Sequence, residues 1–280
     1  MNKNLIQYFI LEDAPQGDIT SQAIFAQKKQ TITANMIAKE SLVVSGLSTI
    51  KDILKQKFPK VKLSVLKKDG SLVKKGTIIG KVKGPVTDVL LMERLCLNFL
   101  QRLSGVATLT HAFVTKAKPH KVSILDTRKT TPGLRDLEKS AVLDGGGKNH
   151  RMSLSDQYLI KDNHIDAAGG VLEAIDCVLE HQKKHRKKPL IEVEVRDEAE
   201  FCEALLMKVD MIMLDNMTTT QIKRLVKLRN QYGKKPLLEI SGNVTLKNLD
   251  KYLKLGVERI SVGALTHSTR AVDISLTIDI

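Results

Sequence analysis

The sequence contains no tryptophan, and only six phenylalanines and four tyrosines among 280 residues. Proteins that hold single-stranded nucleic acid stack bases on aromatic rings, so this scarcity argues against a nucleic-acid partner, and no recognition motif is present. Cysteine is also scarce. Cys96, Cys177 and Cys202 are odd in number and widely separated. No pair has zinc or redox spacing, and unpaired thiols suit the reducing cytoplasm. Long apolar runs are missing too. Leu5–Leu11 is too short to span a bilayer and meets Glu12-Asp13 rather than a small-residue cleavage site. Neither membrane insertion nor a secretory leader is therefore expected. Negative charge is in deficit: 31 Asp and Glu stand against 45 Lys and Arg, a formal net charge of +14. That balance admits nucleic acid, anionic membranes or anionic small molecules, and does not by itself choose among them. Much of it lies in Lys28-Lys29, Lys67-Lys68, Lys74-Lys75, Lys183–Lys188 and Lys234-Lys235. Such runs read as solvated faces and loops.

With 42% hydrophobic residues the chain can bury a sizeable core, in one large domain or two smaller ones. A short helix and a turn through Pro15-Gln16-Gly17-Asp18 open it, Thr31–Gly46 suggests strand, and Thr49–Lys57 reads as helix. Val61–Val82 suggests two strands around Asp69-Gly70 and Lys75-Gly76. That hairpin is of the kind that carries biotin or lipoate, but the modified lysine has no obvious counterpart. Val86–Leu103 has a strong helical pattern, with Arg94 and Arg102 off the apolar face. Gly105 is expected to break it before helix resumes over Ala107–Ala117.

A new rhythm begins at Val122. Apolar strands ending in a polar or charged residue, Val122–Asp126, Tyr158–Asp162, Leu190–Val195, Val209–Asp215, Leu237–Ser241 and Arg259–Gly263, alternate with helical stretches. The helices are Thr131–Leu143, Ala168–His181, Glu198–Met207, Thr219–Tyr232 and Leu246–Leu255. Alternation of this kind predicts a parallel sheet covered on both faces. A β/α barrel builds its site where strands end, whereas an open doubly wound sheet uses only one crevice. Six contributing strands favour the barrel.

Val122–Ile165 is the stretch around which the rest is organised. One apolar run ends in Asp126-Thr127-Arg128-Lys129, and Thr131-Pro132 has the character of a helix start. His150-Arg151 follow a run of three glycines, and a second apolar run ends in Lys161-Asp162. Four cations and a histidine thus gather at two strand ends and the loop between them. A site that receives a multiply charged anion requires this, because Arg forks match carboxylate and phosphate oxygens. In Leu190–Val195 the carboxylates of Glu192 and Glu194 alternate with aliphatics and share one face. Glu194, nearer the rim, is the better catalytic candidate, and Glu192 either joins it or supports it. Lys161 alone would also suit a Schiff-base lysine. Asp215 alone would also suit a helix cap.

These residues closely resemble quinolinate phosphoribosyltransferase. The resemblance is carried by Asp126–Arg135, Gly145–Arg151 and Leu159–His164, and extends over the chain through Gly17–Ser21, Asn98–Gly105, Ile191–Val195, Met213–Asn216, Glu239–Gly242 and Ser261–His267. Asn243 departs from it, since the family commonly has a second glycine there; Asn tolerates left-handed backbone angles. The resemblance implies an α/β fold: an N-terminal α/β sandwich over 1–110, an incomplete, open β/α barrel over 111–267, and a tail, 268–280, returning to the first domain. It implies transfer of phosphoribose from phosphoribosyl pyrophosphate (PRPP) to quinolinate with decarboxylation, Mg²⁺ bound with PRPP, and a homodimer with shared sites. It implies that Arg128, His150, Arg151 and Lys161 take the dicarboxylate, with Arg102 arriving from the neighbouring subunit. It assigns Lys129, Ser241, Gly242, Gly263 and His267 to the phosphates, and Glu194 and Asp215 to the ribose and metal.

Overall fold

The computed structural model describes residues 3–27, 30–184, 186–233 and 235–279. Lys28-Lys29, Lys234, the His185 within Lys183–Lys188, and Ile280 of the tail lie outside the described residues. The chain divides into two compact units. The first comprises Met1–His111, Leu137–Gly146 and Thr269–Ile280. It begins with α1 (Lys3–Asp13) and α2 (Ile19–Phe25). The Asp18 carboxylate starts α2 by accepting the N–H groups of Thr20 and Ser21 at 3.0 and 3.1 Å. Then come β1 (Thr31–Ala38), β2 (Leu42–Val43), α3 (Leu47–Lys57), β3 (Lys62–Val65), β4 (Leu72–Val73) and β5 (Ile78–Pro85). The run expected as one strand bends after Ala38, because its two parts enter different sheets: β1 pairs with β5, β2 with β4.

The expected break at Gly105 does not occur. Val86–Ala117 forms one helix of 32 residues, α4. A Cβ at position 105 would lie 2.2 Å from the carbonyl oxygen of Arg270. The glycine therefore permits close backbone approach, and its helical cost of about 1 kcal/mol against Ala is outweighed by the strong helix formers around it. Cys96 is buried on this helix, and burial pushes its thiol up to about 12, so it is no nucleophile. All three cysteines are free.

The second unit takes Ala112–Asp136 and Gly147–Ser268. Its strands are β6 (Ser123–Leu125), β7 (Tyr158–Ile160), β8 (Ile191–Val195), β9 (Met211–Asp215), β10 (Leu237–Ser241) and β11 (Arg259–Ser261). They form one parallel sheet in the order β6-β11-β10-β9-β8-β7. The first strand thus lies beside the last, and β6 and β7 are left as free edges: the barrel is open. Along β6 the chain makes one further parallel bridge, Leu125 to Lys148. All five residues of β8 and the first four of β9 are buried, as apolar strands of a parallel sheet require.

The helices are α5 (Arg135–Asp144), α6 (Asp162–Ala168), α7 (Val171–Lys183), α8 (Glu198–Leu206), α9 (Thr219–Gln231), α10 (Asp250–Leu253) and α11 (Ala264–His267). α5 starts later than Thr131-Pro132 suggests because Gly133, at φ 79°, is not helical. The stretch predicted as Ala168–His181 ends one helix and forms another, since Gly169 caps α6 at φ 93°. Leu246–Leu255 contains only the short α10 within turns. β12 (Ile274–Ile278) pairs antiparallel with β1 in the first unit, completing the order β12-β1-β5-β3. The described residues of the Lys runs are exposed, as expected.

Candidate functional site

A cavity of about 490 Å³ opens at the C-terminal rim of the parallel sheet. Its walls bring together Arg128, Lys129, His150, Arg151, Lys161, Glu194, Asp215, Ser241 and Gly242, with Asn216, Asn243 and Ser261. The loop after β6 delivers Arg128-Lys129, the segment after the bridge at Lys148 delivers His150-Arg151, and the ends of β7 to β11 deliver the rest. Gly263 and His267 adjoin Lys129: a Cβ at Gly263 would lie 3.0 Å from His267 Nε2 and 3.3 Å from Lys129 Cδ. Thr266 donates its hydroxyl to the Lys129 carbonyl at 2.8 Å, tying β6 to α11.

The cations are under-compensated. Arg128 Nε is buried with no hydrogen-bond partner among the described residues. Arg151 is buried, and its Nη1 donates to the Gln157 carbonyl at 3.3 Å. Burial first, and the neighbouring Arg128 charge second, hold the Arg151 guanidinium below its ordinary value, though it stays charged. Two neighbouring forks, one with a dry unsatisfied N–H, have the chemistry to pair with planar anions. Arg135 braces the walls, donating to Thr130 Oγ1 at 3.0 Å and to the Met152 carbonyl at 3.2 Å.

Lys161 Nζ forms an ion pair with Glu194 at the rim. His164 Nδ1 accepts the Lys161 backbone N–H at 3.0 Å and steadies that strand end. Asp215 accepts a 2.7 Å hydrogen bond from Asn216 Nδ2. Gly242 must be glycine. Its φ is 100°, and a Cβ would lie 2.1 Å from Asn216 Oδ1. Asn243 has φ 49°, the left-handed conformation this residue type tolerates. Glu194 and Asp215 offer hard carboxylate oxygens to one cavity, a donor set suited to Mg²⁺ accompanied by phosphate ligands.

Beneath the rim lies a polar network that the sequence did not make evident. His150 Nε2 is 3.0 Å from Glu192 Oε2 and 3.5 Å from Glu239 Oε1, and all three residues are buried. Gln157 Nε2 donates to Glu192 at 2.7 Å, and Arg259 Nε to Glu239 at 2.6 Å. Burial disfavours the imidazolium, but the hydrogen bond to Glu192 and the charges of Glu239 and Glu192 outweigh it. The His150 pKa therefore moves up, with Arg259 opposing. Burial, and then the nearby Glu192, push the Glu239 carboxyl up as well. The period-two spacing of Glu239 and Ser241 on β10 was the available signal, since Ser241 faces the cavity.

Arg102 is not among the cavity's lining residues. It lies in the first unit, where Nη2 meets Glu138 Oε1 at 2.8 Å and Nη1 donates to the Thr269 carbonyl at 2.9 Å.

An open parallel barrel whose rim gathers several cations and two carboxylates in one cavity has the makings of an enzyme site for polyanionic small molecules. The models of the quinolinate phosphoribosyl transferase family match its N-terminal domain over residues 18–104 and its C-terminal domain over 106–277. The chain is 41% identical over 276 residues to a probable nicotinate-nucleotide pyrophosphorylase (carboxylating) of Bacillus subtilis, covering 99% of this chain and 93% of that one. A quinolinate phosphoribosyltransferase (decarboxylating) of Nicotiana glauca is 42% identical over 290 residues, covering 99% and 82%. The crystal structure of nicotinate-nucleotide pyrophosphorylase from Francisella tularensis superposes with a TM-score of 0.92 at 36% identity, covering 99% and 95%. This chain belongs to the quinolinate phosphoribosyltransferase family.

Proposed function

We propose that the rim cavity is where this chain joins quinolinate to PRPP, releasing pyrophosphate and CO₂ and giving nicotinate mononucleotide for NAD synthesis. The observation that carries the assignment is the adjacent pair Arg128 and Arg151, a dry receptor for two carboxylates, facing Glu194 and Asp215 across one cavity. Arg128, His150, Arg151 and Lys161 form the quinolinate end. Lys129, Ser241, Gly242, Gly263 and His267 form the phosphate end, after the last strands, where barrels commonly bind phosphate. Mg²⁺ held with PRPP by Glu194 and Asp215 would neutralise charge on the departing pyrophosphate.

The pyridine nitrogen attacks the ribosyl carbon as the bond to pyrophosphate breaks. Glu194 and Asp215 stabilise the cationic ribosyl centre that develops. The bond to the adjacent carboxylate then breaks as CO₂ departs; its electron pair stays on the ring carbon, steadied by the neighbouring quaternary nitrogen, and takes up a proton from solvent to give nicotinate mononucleotide. No protein nucleophile is required. Because Lys161 and Glu194 pair with each other here, substrate binding exchanges that ion pair for one carboxylate on Lys161 and one ribosyl cation on Glu194. Glu194→Gln should accordingly lower kcat by about 10²-fold, the scale of one lost electrostatic stabiliser, while quinolinate affinity changes little. Loss of quinolinate affinity with normal turnover would contradict the role.

The assembly proposed is a homodimer of cytoplasmic chains with Arg102 completing the partner's cavity. Arg102→Ala and Glu194→Ala homodimers should each be nearly inactive. When the two are unfolded and refolded together, half of the randomly paired dimers are mixed. One cavity in each of these carries neither lesion, so about a quarter of all sites recover. If Arg102 served its own chain, no activity would return. The reaction itself is tested with purified protein, quinolinate, PRPP and Mg²⁺. Equimolar nicotinate mononucleotide and CO₂ are expected, and the absence of both would overturn the assignment.

A further inference from the structure

β6 is a free edge of the open barrel, and after the single bridge at Lys148 no ladder holds the chain that carries Arg151. Side chains replace the ladder. Asp126 Oδ1 accepts the His150 N–H at 2.9 Å, and the His150 ring, through Nδ1, accepts the Arg151 N–H at 2.8 Å. A ring nitrogen that accepts carries no proton, so the hydrogen of this imidazole is on Nε2, the nitrogen between Glu192 and Glu239. Neither carboxylate lines the cavity. Glu192 Oε1 and Glu239 Oε1 are nevertheless fully buried with no hydrogen-bond partner among the described residues. Two dry carboxylates beside one arginine are a poor stabilising device, since buried ionic networks can usually be replaced by neutral groups without loss of stability.

We infer that Glu192 and Glu239 are positioning residues for acceptor binding: they fix His150 in the Nε2–H tautomer, and His150 thereby holds the Arg151 backbone where its fork meets the acceptor's carboxylate. The inference rests on the reading of Arg151 as an acceptor ligand. The Glu192 carboxylate at 3.0 Å accepts from Nε2, and the Glu239 carboxylate at 3.5 Å favours a proton there through its charge. A glutamine at 192, the nearer partner, can turn its amide N–H toward Nε2 instead. The ring proton then moves to Nδ1, where it opposes the Arg151 N–H and displaces that segment.

The test compares wild type, Glu192→Gln and Arg151→Ala. It uses thermal melting, KM for quinolinate and for PRPP, and ¹⁵N–¹H spectra of ring-labelled histidine, with the His150 signals assigned by their loss in His150→Gln. Arg151→Ala should raise the quinolinate KM; if it does not, the reading of Arg151 fails and the inference falls with it. Given that rise, Glu192→Gln should melt as wild type does and show His150 as the Nδ1–H tautomer. Its quinolinate KM should rise about 10- to 100-fold, as a misplaced binding group does, with PRPP KM unchanged. An unchanged tautomer and unchanged quinolinate KM would overturn the inference, as would a parallel rise in both KM values. Should Glu192→Gln fail to fold, Glu239→Gln takes its place: a smaller rise in the quinolinate KM with the PRPP KM unchanged is expected, and an unchanged quinolinate KM or a parallel rise in both overturns the inference.

Discussion

Nicotinate is expected to be used about 10⁴-fold less efficiently than quinolinate, the penalty typical of a site built to pair a polar group that the analogue lacks. Nicotinate keeps the ring nitrogen and one carboxylate and loses the 2-carboxylate. Arg128 already has a buried Nε without a partner, and Arg151 is already held down by burial and by its cationic neighbour. Filling the cavity with an acid that answers only one of the two forks would leave the other guanidinium both dehydrated and unpaired, which costs more than the missing contact is worth. The missing carboxylate is also the group whose departure as CO₂ draws the reaction forward. The measurement is kcat/KM for the two acids under identical PRPP and Mg²⁺, and comparable values would contradict the reading of the cation cluster.

Arg128→Lys is expected to cost roughly 2–4 kcal/mol of transition-state stabilisation, the scale of one well-placed donor, or about 30- to 1000-fold in kcat/KM. Lysine keeps the charge but has no planar fork, and its compact ammonium is more strongly hydrated than a guanidinium. The unsatisfied donor at this position is Nε, which lysine lacks altogether. Arg128 lies three residues beyond the end of β6, in the loop that Arg135 braces through Thr130 Oγ1 and the Arg128 carbonyl. Steady-state kinetics on the variant decide the matter; wild-type values would show that a point charge suffices.

Much of this was legible in the sequence because barrel chemistry sits at strand ends, and strand ends can be located from apolar runs that stop at Asp126, Lys161, Glu194, Asp215 and Ser241. Arg128, Lys129, Lys161 and Asp215 in the cavity end or follow such runs, whereas His150 and Arg151 come from the loop between two of them. What the sequence concealed depends on long-range pairing. Gly105 looks like a helix breaker until Arg270, far away along the chain, is seen to need the space of its missing side chain. Glu239 looks like one more strand residue until His150 and Arg259 approach it from other elements. Gly133 and Gly169 set helix ends through positive φ, which composition alone does not reveal.

The central claim is that Arg128, Arg151 and Lys161 together receive the two carboxylates of the acceptor. A crystal structure of the chain soaked with quinolinate tests it most directly. The account predicts one ring lying in the cavity at the rim, its carboxylates on the two guanidiniums, with Lys161 turned from Glu194 to the acceptor. Quinolinate bound elsewhere, or bound there with the Lys161–Glu194 pair intact and Arg128 Nε still without a partner, would contradict it.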